Sequence, residues 1–439
     1  MMSRPWTRFA LALVLFVFAR VETEAFAQSP LPRASAESVR MSAARLAKIG
    51  QVFQQEIDAG AIPGAVAMVA RRGKLVYVRA LGKQTDKREM GEDSIFRIYS
   101  MTKPLVSVGA MILVEEGKIE LTDPVAKYLP GWDKLKVAQE SQDPTTGETR
   151  YTLTDNAQPM RVYDLLRHTS GLVYWGLTKN EPVRQAYTKE GIHIEGHSGD
   201  GMQMTAAEQV ERMARAPLAY QPGTAWHYSM SSDILGRVVE AASGQRLGDF
   251  LRDRIFTPLQ MKDTAFFVPP EKQSRLAEPF TKEPSTGREI RLIDVKAAPQ
   301  NDSGGAGAVS TAGDYLRFCQ MLLYQGTLQG ERIIGRPTVQ FMTSDHLTPD
   351  IAMPMDPGEL LLRVKGYSFG LGFAVRKEDG LAGTPGSKGD YTWGGYAGTY
   401  FWVDPKEELT AVLMTQTEGA IRVHHRKLFR QLVYAAIMD

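Results

Sequence analysis

The sequence contains little that would mark a disulfide-stabilised, nucleic-acid-binding or fibrous protein. One of its 439 residues is a cysteine, Cys319, so the chain can form neither an internal disulfide nor a cysteine-rich metal site. The 52 Lys and Arg residues nearly balance the 50 Asp and Glu residues, so no nucleic-acid partner is expected from charge. With 43% hydrophobic and 23% charged residues, the composition suits one large domain or two lobes. We therefore expect small-molecule partners.

The first residues predict an export signal. Two arginines precede an apolar run at residues 9–19, and an Ala-x-Ala sequence ends at Ala27. This run is too short for a membrane-spanning helix, which needs about 20 residues. We therefore expect residues 1–27 to be a cleaved signal peptide and residues 28–40 a linker. The mature protein is expected to be periplasmic or secreted, without a stable membrane anchor.

Hydrophobic periodicity predicts an α+β fold in which the two ends of the chain share an antiparallel sheet. Apolar spacing predicts a helix near each end, over residues 42–59 and 418–437. Apolar runs predict strands at residues 65–70, 75–81, 368–375, 391–403 and 409–415. Because short turns join consecutive strands, the strands must be antiparallel, and a doubly wound parallel sheet is not expected.

The middle of the sequence predicts an inserted helical lobe. Residues 161–167 and 234–242 have helical patterns, whereas residues 137–160 and 175–205 are long and polar. Such polar stretches suit surface hairpins or a lid near a substrate mouth better than a core. We therefore assign the α/β lobe to residues 41–125 and 300–439, and the helical lobe to residues 126–299.

A Ser-x-x-Lys sequence, Ser100-Met101-Thr102-Lys103, is the first candidate for chemistry. We predict that it opens a helix ending at Glu116, with Gly117 as its stop. Residues three apart share a helix face, so Lys103 can reach the Ser100 hydroxyl. A serine hydroxyl needs a base, and a lysine acts as one where burial or a second cation lowers its pKa. A pattern of this kind arises about once by chance in such a chain.

Two further segments carry groups that could assist a serine nucleophile. Tyr228 lies in a loop before a predicted helix, and a phenol beside a lysine can act as a general base. The alternative is an ordinary packed tyrosine. The segment Trp393-Gly394-Gly395-Tyr396 interrupts a predicted strand, and its glycines would let backbone approach a ligand. It could present an N–H to an oxyanion beside that of Ser100, or it could be a bulged strand.

These motifs and their order resemble class C β-lactamases and family VIII carboxylesterases. The shared motifs are Ser100-Met-Thr-Lys103, Leu165-Leu-Arg-His-Thr-Ser-Gly171, Pro222-Gly223 to Tyr228-Ser229, Ser303-Gly-Gly-Ala-Gly-Ala-Val-Ser-Thr311 and Trp393-Gly-Gly395. The resemblance covers about residues 40 to 437. It implies a β-lactamase-like fold with the active site in the cleft between an α/β lobe and a helical lobe.

The resemblance also implies roles for individual residues. Ser100 would be the acylated nucleophile, Lys103 its helper and Tyr228 the base. The backbone N–H groups of Ser100 and Tyr396 would form the oxyanion hole. The Trp393-Gly394-Gly395 segment would bind the substrate, and neither a cofactor nor a metal is implied.

Two departures favour an esterase over a β-lactamase. Where the lactamases have Lys-Thr-Gly, this chain has Trp393-Gly394-Gly395, so the cation that helps to hold a β-lactam carboxylate is missing. Met230 replaces an asparagine that would bind the β-lactam side chain. We therefore predict hydrolysis of short-chain carboxylic esters, with weak β-lactam hydrolysis as an addition. A β-lactamase, a D-amino-acid peptidase, an acyltransferase and a non-hydrolytic penicillin-binding receptor are the alternatives on this fold.

A second serine motif competes with the first. Gly366-Tyr367-Ser368-Phe369-Gly370 matches the Gly-x-Ser-x-Gly elbow of α/β-hydrolases, and Asp404 and His424 follow in the right order. That elbow requires a helix after the serine, whereas residues 371–375 read as a continued strand. We therefore predict that Ser368 is not a nucleophile.

Two histidine pairs are considered as metal ligands and rejected. His193 and His197 are four residues apart, but the residues around them do not predict a helix. His424 and His425 are adjacent on a predicted helix, so they are expected to point in different directions and to share no ligand. No metal site is predicted.

Overall fold

The structure is a computed structural model that describes residue 1, residues 30–195 and residues 199–439. The predicted signal peptide after its first residue, the start of the predicted linker and His197 lie outside the described residues. Within the described ranges, the helices are α1 (Ala43–Asp58), α2 (Thr102–Glu115), α3 (Val162–Leu166), α4 (Glu181–Lys189), α5 (Ala206–Arg215), α6 (Ser231–Ser243), α7 (Leu247–Leu251), α8 (Ala312–Leu323), α9 (Arg336–Met342), α10 (Pro357–Leu362) and α11 (Ile421–Tyr434). The strands are β1 (Gly64–Arg71), β2 (Lys74–Thr85), β3 (Arg88–Glu89), β4 (Phe96–Arg97), β5 (Lys136–Gln142), β6 (Thr149–Asp155), β7 (Val309–Ser310), β8 (Thr327–Leu328), β9 (Glu331–Arg332), β10 (Tyr367–Phe369), β11 (Ala374–Arg376), β12 (Tyr391–Gly394), β13 (Tyr400–Asp404) and β14 (Leu409–Thr415).

An eight-stranded antiparallel sheet joins the two ends of the chain. Its strand order is β10-β11-β12-β13-β14-β1-β2-β3. The first strand, β1, pairs with the last, β14, so that Ala65 lies opposite Thr415. The prediction that the chain ends share an antiparallel sheet is therefore confirmed.

Helices cover both faces of this sheet. Neighbouring side chains on a strand point to opposite faces, and on β13 the ring of Phe401 contacts Tyr315 of α8 while Trp402 contacts Phe429 of α11. Strands β1 and β14 are buried along their whole length. This double burial explains why both strands read as continuous apolar runs.

Two of the predicted strands are hairpins, so those predictions were wrong. Residues 368–375 form β10 and β11, and residues 391–403 form β12 and β13, each pair antiparallel. The turns contain glycines with left-handed backbones, Gly372 at φ 95° and Gly398 at φ 98°. The strands of both hairpins are buried on both faces, so each hairpin reads as one apolar run and its turn is not evident in the sequence.

The middle of the chain contains α3 to α7 and one exposed hairpin. Residues 137–160 include β5 and β6, a largely exposed hairpin of the kind predicted, whereas residues 175–205, also predicted as a surface hairpin or a lid, contain the helix α4. The division into two lobes stays a prediction. Among the described residues, no helix has the length and hydropathy needed to cross a membrane.

The helix that follows the Ser-x-x-Lys motif is a buried element at the centre of the molecule. A 3₁₀ turn at Tyr99–Met101 leads into α2, whose residues from Thr102 to Leu113 are all buried. The helix packs against α6, which begins three residues after Tyr228. This packing brings the loop that carries Tyr228 to the start of α2.

Candidate active site

The structure brings together the three residues that the sequence predicts as catalytic. The Tyr228 hydroxyl donates a hydrogen bond to Ser100 Oγ at 2.7 Å, and Lys103 Nζ donates to the same oxygen at 3.3 Å. Ser100 lies on the 3₁₀ turn and Lys103 in the first turn of α2, so their spacing of three places them side by side. A phenol and an amine on one serine hydroxyl form an arrangement that can remove and return its proton.

Lys103 is held by groups that the sequence analysis missed. The side chain is buried, and Nζ also donates to the carbonyl of Gly305 at 2.8 Å and to the hydroxyl of Tyr174 at 3.0 Å. The three donors of an ammonium group therefore have three acceptors. Nζ also lies 4.6 Å from the centre of the Tyr228 ring, within the range of a cation–π contact.

Asp233, on α6, holds the loop that carries the Gly305 carbonyl. Its carboxylate accepts a hydrogen bond from Ser303 Oγ at 2.5 Å and from the N–H of Gly305 at 3.2 Å. Complete burial raises the pKa of Asp233, and the charge of Lys103 opposes that rise. The sequence does contain a signal for Asp233, because this acidic residue lies next to the apolar positions of the helix predicted at residues 234–242.

Tyr174, which is half-buried, and His168, which is buried, are two further residues at the site. Burial and the charge of Asp233 hold the pKa of Tyr174 well above its ordinary value. The phenol that accepts a hydrogen bond from Lys103 is therefore neutral. His168 packs with its ring centre 4.9 Å from that of Tyr228, and its Nδ1 lies 3.1 Å from Ser229 Oγ. Burial, the larger cause, and the charge of Lys103, the smaller one, lower the pKa of His168 well below its usual value, so the imidazole is neutral.

Trp393, which is predicted to bind substrate, contacts Tyr228. Its indole N–H lies 3.4 Å from the Tyr228 hydroxyl, and the two ring centres are 5.2 Å apart. Only 2% of Trp393 is exposed. In this structure Trp393 packs against Tyr228, and its contact with substrate stays a prediction.

The predicted oxyanion-hole residue Tyr396 lies in the turn between β12 and β13, which packs beside the nucleophile. Its ring centre is 5.5 Å from that of Tyr99, the residue before Ser100. A Cβ added at Gly395 would lie 2.5 Å from the carbonyl oxygen of Ile98. The turn and the segment leading into Ser100 are therefore in contact, and the roles of their N–H groups as oxyanion donors stay a prediction.

The two glycines of the Trp-Gly-Gly segment lie in close contact with other parts of the protein. A Cβ added at Gly394 would lie 2.8 Å from Cζ of Arg426, and Gly395 lies against the backbone at Ile98. In the structure, the lack of a side chain at each glycine therefore admits neighbouring protein groups. Their binding of substrate stays a prediction.

The competing serine motif does not assemble a triad. Ser368 Oγ donates to the carboxylate of Asp345, while Asp404 accepts from Tyr434 at 2.6 Å and His424 lies 3.6 Å from Glu56. The expectation that Ser368 is no nucleophile rested on a continued strand, and that reason was wrong, since β10 ends and turns back as β11. A hairpin still lacks the helix that an elbow requires.

The adjacent histidines of α11 both lie near the Glu56 carboxylate, and their exclusion as a metal-binding pair stays a prediction. His425 Nε2 lies 3.0 Å and His424 Nε2 lies 3.6 Å from separate oxygens of the Glu56 carboxylate. A carboxylate has two oxygens and can bridge side chains that diverge from a helix. His193 Nδ1 lies 2.9 Å from Asp200. Within residues 30–195 and 199–439, no cluster of three or more His, Cys, Asp or Glu residues is suited to a metal ion.

Comparisons with known proteins extend over most of the chain. The family described as Beta-lactamase matches residues 49–436. Esterase EstB of Burkholderia gladioli is 32% identical over 402 residues, which cover 86% of this chain and 91% of that protein. The solved structure of EstCE1, described as a hydrolase with promiscuous acyltransferase activity, is 27% identical with a TM-score of 0.72, covering 91% of this chain and 99% of that one. Simvastatin Synthase (LovD) from Aspergillus terreus is 25% identical with a TM-score of 0.72, covering 90% and 99%.

Proposed function

The chain belongs to the Beta-lactamase family and is a serine hydrolase of its ester-hydrolysing kind, and we propose that it cleaves short-chain carboxylic esters through an acyl-enzyme on Ser100. One observation carries the proposal: Ser100 Oγ accepts hydrogen bonds from both Tyr228 and Lys103. Family membership and the α+β, β-lactamase-like fold predicted from the sequence are confirmed. The acyl-chain length and the residues that perform the chemistry belong to the proposal.

Acylation begins when Ser100 Oγ attacks the carbonyl carbon of the ester. The serine proton passes to the oxygen of Tyr228, which acts as a base in its phenolate form with Lys103 Nζ 4.6 Å from the centre of its ring. The N–H groups of Ser100 and Tyr396 stabilise the negative oxygen of the tetrahedral intermediate. As the intermediate collapses, the ester C–O bond breaks and the leaving alkoxide takes the proton held by Tyr228.

Deacylation repeats the same proton transfers with water. Tyr228 removes a proton from a water molecule as the water oxygen attacks the acyl carbon. Collapse of the second intermediate releases the carboxylic acid, and Ser100 Oγ regains the proton from Tyr228. The two transfers that remove and return the Ser100 proton use the short contact between Tyr228 and Ser100 Oγ, at 2.7 Å.

Acyl transfer to an alcohol is the second candidate function. One of the similar structures, EstCE1, carries promiscuous acyltransferase activity in its description. An alcohol that replaces water in the second half-reaction would give a new ester with the same residues. Product analysis in the presence of a short alcohol measures how the acyl group divides between water and the alcohol.

The primary test is mass spectrometry of the purified protein after a phosphonate probe, together with the rate of p-nitrophenyl acetate hydrolysis. A phosphonate on the Ser100 peptide and rapid ester turnover are the expected results. A persistent acyl group on Ser100 without turnover would instead identify a penicillin-binding type of receptor. Labelling at Ser368 would overturn both assignments.

A further inference from the structure

Arg426, on α11, is a buried cation whose guanidinium has no carboxylate partner among the described residues. The residue is 3% exposed. Its guanidinium donates to the backbone carbonyls of Leu361 at 3.1 Å, of Thr399 at 3.4 Å and of Gly395, while Nε has no partner. Burying a charged side chain without a counter-charge is costly, so this arrangement requires a compensating benefit.

The next arginine on the same face of α11 is buried together with a carboxylate partner. Arg430 donates to the carboxylate of Asp390, which also accepts a hydrogen bond from Arg376 at 2.7 Å. By contrast, burial and then the neighbouring charge of Arg422 lower the pKa of Arg426 to about 9. Arg426 therefore remains a cation at neutral pH without an acid to balance it.

The peptide group that Arg426 contacts is the one that carries the N–H of Tyr396. The carbonyl of Gly395 and the N–H of Tyr396 belong to a single planar trans peptide, so they point in opposite directions. Because the carbonyl faces the guanidinium inside the protein, the N–H faces away from Arg426. The guanidinium fits here because Gly394 has no side chain, since a Cβ would lie 2.8 Å from its Cζ.

We propose that Arg426 is a positioning residue of the oxyanion hole, which orients and polarises the Gly395–Tyr396 peptide so that its N–H stabilises the negative oxygen formed on attack by Ser100. This inference rests on the proposed function. A cation hydrogen-bonded to the carbonyl strengthens the hydrogen bond donated by the N–H of the same peptide, because linked hydrogen bonds polarise one another. The ester is neutral before the attack, so the benefit falls on kcat more than on KM.

The test compares Arg426→Gln with Arg430→Gln, which removes a buried arginine one turn along the same helix. Removing an oxyanion donor outright costs about a hundredfold or more in kcat, so loss of its polarising partner is expected to cost about tenfold, with KM changed by less than about twofold. Sulfur accepts hydrogen bonds weakly, so hydrolysis of p-nitrophenyl thionoacetate should fall less than that of p-nitrophenyl acetate. Arg430→Gln should lower stability and leave the oxygen-to-sulfur rate ratio unchanged.

Two more variants keep the test decisive if Arg426→Gln does not fold. Arg426→Lys retains the charge and should recover part of the rate, and Gly394→Ala displaces the guanidinium while the charge stays in the chain. A folded Arg426→Gln or Gly394→Ala protein with kcat within about twofold of the parent, or with an unchanged oxygen-to-sulfur ratio, overturns the inference. Phosphonate labelling of Ser100 in each variant tests the proposed function separately, because failure to label the parent protein would refute the nucleophile and not Arg426.

Discussion

Ser100 and Ser368 both lie in sequences typical of serine nucleophiles, and their surroundings differ in the direction of the hydrogen bonds. The Ser100 hydroxyl accepts from Tyr228 and Lys103, groups that can also take up its proton when deprotonated. The Ser368 hydroxyl, in the buried strand β10, donates to the carboxylate of Asp345. A short motif therefore indicates a candidate nucleophile, and the serine can act as one only where neighbouring groups can accept its proton.

The histidine next to Asp345 strengthens the contrast. His346 has both ring nitrogens occupied, Nδ1 lying 2.7 Å from the Tyr163 hydroxyl and Nε2 lying 2.6 Å from the carbonyl oxygen of Phe341. A general base for Ser368 would need one of these nitrogens. The region contains a serine, an acid and a histidine, and their hydrogen bonds serve the packing of the sheet edge.

Removing each serine should give the largest difference between the two regions. Ser100→Ala eliminates the attacking oxygen, so kcat for p-nitrophenyl acetate is expected to fall by about a thousandfold or more. Ser368→Ala, the matched control, should stay within about twofold because its hydroxyl serves a structural contact. A large loss of kcat in Ser368→Ala with little loss in Ser100→Ala would identify Ser368 of β10 as the nucleophile and contradict the proposed site.

Tyr228→Phe should have the next largest effect. The ring and its packing against Trp393 remain, but the hydroxyl that contacts Ser100 is removed, so kcat should fall by about 10² to 10⁴. Both the acylation burst and the steady-state rate should decrease, since the same oxygen serves both half-reactions. Tyr187→Phe, a buried tyrosine whose hydroxyl contacts the carbonyl of Val173, is the control. Equal rates for the two variants would contradict the assigned base.

Tyr174→Phe should have a smaller effect. This change removes one of the three acceptors of Lys103 and leaves the contacts of Lys103 with Ser100 and Gly305 in place. A loss of about tenfold in kcat with folding unchanged is expected. A rate equal to that of the parent would show that two acceptors suffice for Lys103, and a loss as large as that of Tyr228→Phe would make Tyr174 a second proton carrier.

The part of the site that sequence could predict depends on local spacing. Ser100 and Lys103 are three residues apart, so helix geometry alone predicts their contact. Tyr228 is 128 residues from Ser100, so its position in a loop before a helix made it only a candidate, and its assignment to the site came from the resemblance to known families. The fold class followed from strand runs joined by short turns, and the family and structural similarities confirm it.

The rest depends on contacts that no local pattern encodes. Gly394 reads as a break in a strand, and its reason, the guanidinium of Arg426, lies 32 residues further along the chain. Arg426 itself belongs to a helix whose arginines at 422, 426 and 430 recur every four residues, a stripe that would normally indicate a solvated face. The structure places this stripe against the β12–β13 turn and hairpin, where it contacts the carbonyls of Tyr396 and Gly395 and the carboxylate of Asp390.

The smallest effect on activity is expected from His346, which should influence stability instead. Burial lowers the pKa of His346 below its unfolded value near 6.5, so the folded protein favours the neutral imidazole. A depressed histidine pKa contributes stability that is present above about pH 6.5 and lost as the pH falls through the folded pKa. His346→Gln should therefore lose less stability than the parent on acidification.

Urea unfolding of both proteins at about pH 7.5 and about pH 5 measures this difference. At the higher pH, kcat of His346→Gln should stay within about twofold of the parent, because the ring nitrogens of His346 contact Tyr163 and Phe341 rather than Ser100, Lys103 or Tyr228. A variant with the pH dependence of the parent would show that the imidazole is not the titrating group. A hundredfold loss of kcat in a folded His346→Gln protein would place a histidine base in the reaction and remove the distinction between Ser100 and Ser368 on which the proposed mechanism depends.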